Sequence, residues 1–205
     1  DYHSPKRSVI SPSRSDVKDA VRLFLNAKKP VIWAGSGVLF GNATKELKEL
    51  AQLTGVPVYT TMQGKSAFPE DHPLSLGSGS SATTLPAFKW LKDSDVLFAL
   101  GSSLSHTSYG QPIPPGKVII HNTDNIEDIN KQESADVGLP GDVKVTLELV
   151  LDEVKATIGE SGRKTNSAEE IAHLRQQWMS EWSGLLNSDE EPIGTYRVIG
   201  EIERN

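Results

Sequence analysis

Lys29-Pro-Val-Ile-Trp-Ala-Gly-Ser-Gly-Val38 is the stretch that most restricts what this chain can become. Apolar residues run without polar interruption from Pro30 to Ala34 and lead into the glycine pair Gly35 and Gly37. A strand exposed on one face alternates apolar with polar, so an unbroken run reads as a parallel strand covered on both faces. After it, Asn42 to Thr54 has Leu47, Leu50, Ala51 and Thr54 at helical spacing, with Asn42 or Thr44 as N-cap and Gly55 as stop. Val56-Pro-Val-Tyr-Thr-Thr61 then reads as a second strand, completing one βαβ unit. Free backbone N–H groups at the strand-to-helix turn, with a helix dipole behind them, would favour a cofactor phosphate there. Gly35 and Gly37 suit equally a turn that needs glycine only for its backbone.

Upstream, Ser15 would cap a helix in which Val17, Ala20, Val21, Phe24 and Leu25 share one face. Downstream, Phe68 to Gly77 reads as an extended excursion and Ser78 to Ser81 as the approach to a helix. That helix, Ala82 to Lys92, carries Leu85, Phe88 and Leu91 at helical spacing. Asp95-Val-Leu-Phe-Ala-Leu-Gly101 repeats the pattern of a buried strand ending in glycine, and Ser102 to Tyr109 follows it. In open α/β sheets such a carboxyl edge is where ligands bind. Lys117 to His121 is a further strand, and Asp124 beyond it would either bond ribose hydroxyls or cap the short turn Ile126 to Asn130. Ala135 to Asp142 gives a last short strand and turn, with Asp142 capping a helix that bears Val143, Leu147, Val150, Leu151 and Val154. The class is α/β, a Rossmann-like three-layer αβα fold with a mostly parallel sheet of about six strands.

The same reading divides the chain into a linker over 1–14, a central domain over 15–158, and a linker with helices over 159–205. Asp1 to Pro5 is neither a methionine start nor a signal peptide, so an excerpt of a longer chain is expected. Gly159 to Ser167 reads as a flexible connection by its polar and glycine content. The helix after it, Ala168 to Leu186, has Ile171, Leu174, Trp178 and Trp182 along one stripe, and the tryptophans suit docking onto a neighbouring surface. Pro192 opens a last helix, Ile193 to Arg204, as part of a C-terminal helical extension.

Several chemistries are disfavoured. Net charge is −6 with no long basic run, which argues against a nucleic-acid partner. No apolar run reaches the roughly 20 residues that span a bilayer. Absence of cysteine removes disulfide and thiolate chemistry and agrees with a reducing, cytoplasmic setting. Gly64-Lys65-Ser66 fails as a P-loop because the leading glycine would fall at Tyr59. Ser78-Gly79-Ser80-Ser81 lacks the order of a nucleophile elbow. His106 stands among serines with no acid nearby in sequence to orient it, which favours a hydrogen-bonding loop. The histidines are scattered without metal-ligand spacing.

Taken together, residues 15–155 resemble the central domain of thiamine-diphosphate-dependent enzymes of the acetohydroxyacid synthase and benzoylformate decarboxylase superfamily. The resemblance rests on Lys29 to Val38, Pro57 to Thr61 with Gly64-Lys65, Pro69-Glu-Asp-His-Pro73 to Gly77, Asp95 to Gly101, and Gly141-Asp142. Pro192-Ile193 and Tyr196 to Ile199 are similar to the family's entry into its pyrophosphate-binding domain. The resemblance implies a parent 2-oxo acid lyase or carboligase, such as an acetolactate synthase-like transferase. It implies thiamine diphosphate and Mg²⁺ held between flanking domains of paired subunits, in a homodimer or homotetramer. The family's Gly-Asp-Gly motif is not reproduced, since Val143 follows Gly141-Asp142, and its activating glutamate belongs to an upstream domain. No catalytic residue carries over, and this piece alone is expected to be inactive.

The synthase branch binds FAD near positions matching Gly35, Gly37, Thr60, Thr61, Gly64, Gly101 and Asp124, and a related decarboxylase branch places ADP on this domain. Ser36, Ser102 and Ser103 complete the candidate cofactor contacts. Two departures bear on FAD. Ser103 to Thr107 stands where the synthase has an arginine-bearing run, and His121 to Ile126 shifts the acid of the family's strand end. A site that hydrogen-bonds its ligand loses heavily when such groups are missing. An NAD(P)-binding oxidoreductase domain is the second reading, although Phe40 and Thr60-Thr61 stand where it needs a glycine and an acid. A non-catalytic interaction module using Trp178 and Trp182 is the third.

Overall fold

A computed structural model of the protein describes His3, residues 8–80 and residues 82–204. Positions 1, 2 and 4–7 of the expected linker, and Ser81 of the expected helix approach, lie outside the described residues.

The unbroken apolar run becomes β1 (Pro30–Ala34) at the centre of a six-stranded sheet. It is joined by β2 (Val58–Thr61), β3 (Ser75–Gly79), β4 (Val96–Leu100), β5 (Val118–Thr123) and β6 (Val137–Pro140). Their order is β3-β2-β1-β4-β5-β6, and every pairing is parallel. The chain winds outward from β1 through β2 and β3, then restarts on the other side of β1 with β4. At that reversal the crossovers leave in opposite directions and open a crevice at the carboxyl ends.

Successive β1 residues face two separate cores, which is why no polar residue interrupts the run. Ile32 and Ala34 pack under α1 (Arg14–Asn26), α3 (Thr44–Thr54) and α5 (Val143–Ile158). Val31 and Trp33 pack under α4 (Leu85–Asp93) and the start of α6 (Ser167–Leu186). The expected three-layer αβα architecture is therefore observed, with all strands parallel. A four-residue helix, α2 (Gly37–Phe40), follows β1 directly, and α7 (Thr195–Arg204) packs on α6.

Local differences from the sequence reading have identifiable causes. Ser13, not Ser15, caps α1, its hydroxyl accepting from Asp16 N at 3.1 Å. Neither Asn42 nor Thr44 caps α3; Asn42 takes the left-handed turn (φ 51°) between α2 and α3, and Ala43 occupies the cap position. Strand β3 takes the end of the stretch read as an excursion and the start of the expected helix approach, Ser78 and Gly79, because Ser75-Leu-Gly-Ser-Gly79 carries no apolar alternation. As the edge strand it is held by polar contacts, such as Thr60 Oγ1 with Ser78 Oγ at 2.8 Å. The buried side of α4 is Ala87, Trp90 and Leu91 while Phe88 is exposed, and Trp90 Nε1 donates to Pro30 O at 3.1 Å. Asn125, not Asp124, caps the 3-10 turn Ile126–Asp128.

The connection read as flexible is a strap. Arg163 N donates to Leu53 O (2.8 Å), its guanidinium donates to Leu25 O (2.5 Å), and Thr165 Oγ1 donates to Gly55 O (3.1 Å). These are carbonyls at the ends of α1 and α3, so the strap carries the chain past the amino edge of the sheet to its other face. There Ile171 is fully buried, Lys29 pairs with Glu170 at 2.6 Å, and Arg175 donates to Ser75 O at 2.5 Å. The tryptophan stripe ends on α7, with Trp182 and Tyr196 ring centroids 5.1 Å apart.

Deleting residues 160–205 uncovers the α4 face of the core. It is expected to lower unfolding free energy by about 2–4 kcal/mol, of which burial of Ile171 alone accounts for about 1.5–3. Deleting only 188–205 is expected to change it by less than about 1 kcal/mol. Urea denaturation of both truncations measures the difference, and equal stability would contradict the strap.

Candidate functional site

The site is built where β1 and β4 leave the sheet. Gly35 N donates to Leu100 O and Gly37 N to Gly101 O, both at 2.9 Å, so the two exit turns are joined backbone to backbone. A Cβ on Gly37 would stand 2.7 Å from Gly101 Cα, and one on Gly35 would overlap Gly101 O. Gly101 also takes a left-handed φ of 57°. Close packing of the turns thus accounts for all three glycines.

The N–H groups that follow Gly37 are engaged as well, whereas Ser36 N has no partner among the described residues and stays open at the cleft. Val38 N donates to Gly35 O (3.2 Å), Leu39 N to Ser36 O (3.0 Å) and Phe40 N to Ser36 O (3.1 Å). A long helix leaves its first N–H groups for a ligand, whereas this short one closes on itself.

Beside the joined turns lies a cleft of about 540 Å³. Its β-sheet wall is Trp33 and Tyr59, ring centroids 4.7 Å apart, and its outer wall is the loop 102–113, including Tyr109. Of the cofactor contacts read from sequence, Gly35, Ser36, Thr61, Ser102 and Ser103 line this cleft, whereas Gly37, Thr60, Gly64, Gly101 and Asp124 lie outside its lining. Thr60 is buried between β2 and β3. Gly64 packs against β1, where a Cβ would meet Ala34 O at 2.6 Å. Asp124 is exposed beyond β5. Lys65 pairs with Glu70 at 2.5 Å, and this bond first, then that from Ser78, holds the Glu70 carboxyl below its ordinary range.

The sequence reading did not single out the polar pair that fixes the loop. His121 and Asn122 are fully buried at the end of β5 and point to opposite faces. Asn122 Oδ1 accepts from Gly101 N (3.2 Å), while its Nδ2 donates to Leu139 O (2.9 Å), Gly141 O (3.1 Å) and Thr146 Oγ1 (3.1 Å). His121 Nε2 donates to Ser102 O at 2.7 Å. Two polar residues ending the apolar run Val118-Ile-Ile120 were the available signal, because buried polar groups need partners. His106, which sequence left without an acid, meets Glu133 at 2.6 Å across the cleft rim. Burial pushes the Tyr59 hydroxyl above its ordinary value, so it stays neutral.

Asn122→Ala strands the Gly101 N–H and is expected to cost about 2–4 kcal/mol, read by urea denaturation. Burial lowers the pKa of His121, so the unfolded chain takes up its proton first as pH falls. Stability from this residue is complete above about pH 6.5 and declines below it. His121→Gln is expected to flatten that slope between pH 7 and 5, and an unchanged slope would contradict it.

Residues 17–150 match the model of the family described as thiamine pyrophosphate enzyme, central domain. The probable acetolactate synthase large subunit of Methanococcus aeolicus is 33% identical over 195 residues, covering 91% of this chain and 32% of that protein. The acetolactate synthase of Mycobacterium bovis is 38% identical over 138 residues, 66% of this chain and 22% of the relative. The probable sulfoacetaldehyde acetyltransferase of Rhizobium meliloti is 31% identical over 193 residues, 92% of this chain and 32% of the relative. The crystal structure of benzoylformate decarboxylase from Polynucleobacter necessarius superposes with a TM-score of 0.63 at 23% identity, over 82% of this chain and 31% of that one, a likeness of fold. The chain spans about a third or less of the length of these relatives. With its glycine-joined exit turns and six parallel strands, the chain belongs to the family of thiamine pyrophosphate enzyme central domains.

Proposed function

We propose that this chain is the central, scaffolding domain of a thiamine-diphosphate-dependent lyase or carboligase of 2-oxo acids, of the acetolactate synthase kind. The observation that carries the reading is the 33% identity to an acetolactate synthase subunit extending over 91% of the chain. In such a parent, bound thiamine diphosphate supplies the electron sink for decarboxylation. The flanking thiamine-binding domains and paired subunits would be this domain's partners, in the cytoplasm.

This chain's own residues are used structurally where the cofactor motif would be sought. Asp142, in Gly141-Asp142-Val143, accepts from Lys144 N (2.9 Å) and Val145 N (3.2 Å) as the cap of α5. A carboxylate so engaged does not fit a Mg²⁺ and diphosphate ligand set, and no step is assigned to it. What the domain supplies is a rigid core, the strap that commits α6 to it, and the cleft at its carboxyl edge.

That cleft is read as a small-molecule slot of the nucleotide type. Tyr109 supplies an exposed ring at its outer wall, Trp33 and Tyr59 lie buried at its base, and Ser36, Ser102 and Ser103 line it. Its volume of about 540 Å³ suits a small organic ligand. For FAD or ADP the fit is partial, because the cleft is of suitable size and no lysine or arginine stands in its lining among the described residues. An NAD(P)-binding oxidoreductase is less well supported, since Phe40, where its fingerprint needs glycine, is a solvent-exposed side chain.

The 205-residue chain, supplied with thiamine diphosphate and Mg²⁺, is expected to release no CO₂ from pyruvate or benzoylformate. Exchanged for the matching segment of the Methanococcus aeolicus protein, it is expected to retain acetolactate formation within about tenfold. Measurable CO₂ release by the isolated chain, or a chimaera that folds and is inactive, would overturn the reading.

A further inference from the structure

A second hollow, of about 330 Å³, lies under the strap at the amino edge of the sheet. The end of α1, the start of β1, the turn before β2, and the strap with the first turn of α6 enclose it. Three cations line it, Lys28, Lys29 and Arg163, against one carboxylate, Glu170. Lys29 and Glu170 answer each other at 2.6 Å, and Lys29 Nζ also lies over the Trp90 ring, 4.5 Å from its centroid. Two cations are left over. Lys28 Nζ has neither an ion pair nor a hydrogen bond among the described residues, and Arg163 engages Leu25 O through Nη1 alone. Asp93, Asp95 and Glu169 stand outside the lining. Asp95 accepts from the N–H groups of Lys28 (2.7 Å) and Lys29 (2.9 Å), Asp93 lies 3.8 Å from Lys29 Nζ, and Glu169 is exposed to solvent.

The start of α6 adds two further features. Asn166, at the cap position, makes no side-chain bond to the first turn. The N–H groups of Ala168 and Glu169 have no partner among the described residues, so this end of a 20-residue helix keeps its partial positive charge. Ser167, the first helical residue, is 8% exposed and lines the hollow, yet its hydroxyl bonds no described residue. A buried hydroxyl without a partner costs free energy, and a ligand oxygen in the hollow would remove that cost.

We propose that the hollow under the strap binds a small oxyanion and that a phosphate group suits it best. The anion lies between Arg163, Lys28 and the start of α6, with Ser167 Oγ donating to it. A guanidinium fork grips two oxygens of one group, and two cations beside a helix end favour a doubly charged phosphate over a singly charged carboxylate. Because Arg163 and Ser167 bound the strap, the ligand also fastens it to the sheet.

NMR titration of the amides of the whole chain with sodium phosphate, at ionic strength held constant with sodium chloride, tests the site. Saturable shifts are expected at Arg163, Ser167, Ala168 and Glu169, with acetate binding at least about threefold more weakly. Lys28→Gln, which alters an exposed side chain that holds nothing in place, is expected to weaken phosphate about three- to tenfold, and Ser167→Ala about two- to fivefold. Arg163 is left unaltered because it also holds Leu25 O. Linear shifts without saturation, or shifts scattered over the surface lysines, would mean an adventitious ion only and would overturn the site. Saturable binding that Lys28→Gln leaves unchanged would overturn the placement of the anion beside Lys28, and acetate binding as tightly as phosphate would overturn the preference.

Discussion

Everything at the carboxyl edge depends on one backbone contact, that between the turn after β1 and the turn after β4. Two hydrogen bonds of 2.9 Å, Gly35 N to Leu100 O and Gly37 N to Gly101 O, hold the turns at a separation no side chain would permit. Strands that part at a topological reversal normally leave a gap between their exits. Here the gap is closed at its base, and the opening is displaced sideways to lie between Trp33 and the loop after Gly101. The same bonds turn the first N–H groups of α2 inward. The N–H groups of Gly35 and Gly37 are therefore part of the scaffold.

The loop forming the outer wall is held from beneath by two adjacent residues. Because neighbours on a strand face opposite sides, His121 reaches Ser102 O on one face while Asn122 reaches Gly101 N and α5 on the other. Buried polar groups of this kind cost free energy unless bonded, and Asn122 is bonded through its oxygen and through both N–H groups of its nitrogen, which three acceptors share. At the opposite edge the strap from Gly159 to Ser167 performs a similar task with carbonyls of α1 and α3. Both devices tie distant segments by hydrogen bonds to main-chain groups, which suits a domain that serves as a frame between others.

Legibility in the sequence followed burial. Pro30 to Ala34 and Val96 to Leu100 announced themselves because doubly covered strands must be apolar throughout. The faces of α1 and α5 were readable from spacing for the same reason. Strand β3 was not, since an edge strand of serine and glycine leaves no hydrophobic pattern. The strap was misread as flexible because glycine and polar content says nothing of the carbonyls waiting at the ends of α1 and α3. At the cleft, Gly35, Ser36, Ser102 and Ser103 were placed by reasoning about strand ends. Trp33, Tyr59 and Glu133 were missed, the first two because an aromatic residue in an apolar strand looks like core. Glu133 meets His106 only through the fold, twenty-seven positions apart.

The most direct measurement is amide hydrogen exchange of Gly37 and Val38 by NMR, with and without ADP. If these N–H groups are bonded to Gly101 O and Gly35 O, they exchange slowly in the free protein and ADP leaves their protection unchanged. Fast exchange in the free protein that becomes slow when ADP is added would mean that the turn is a phosphate cradle after all, and would contradict the account.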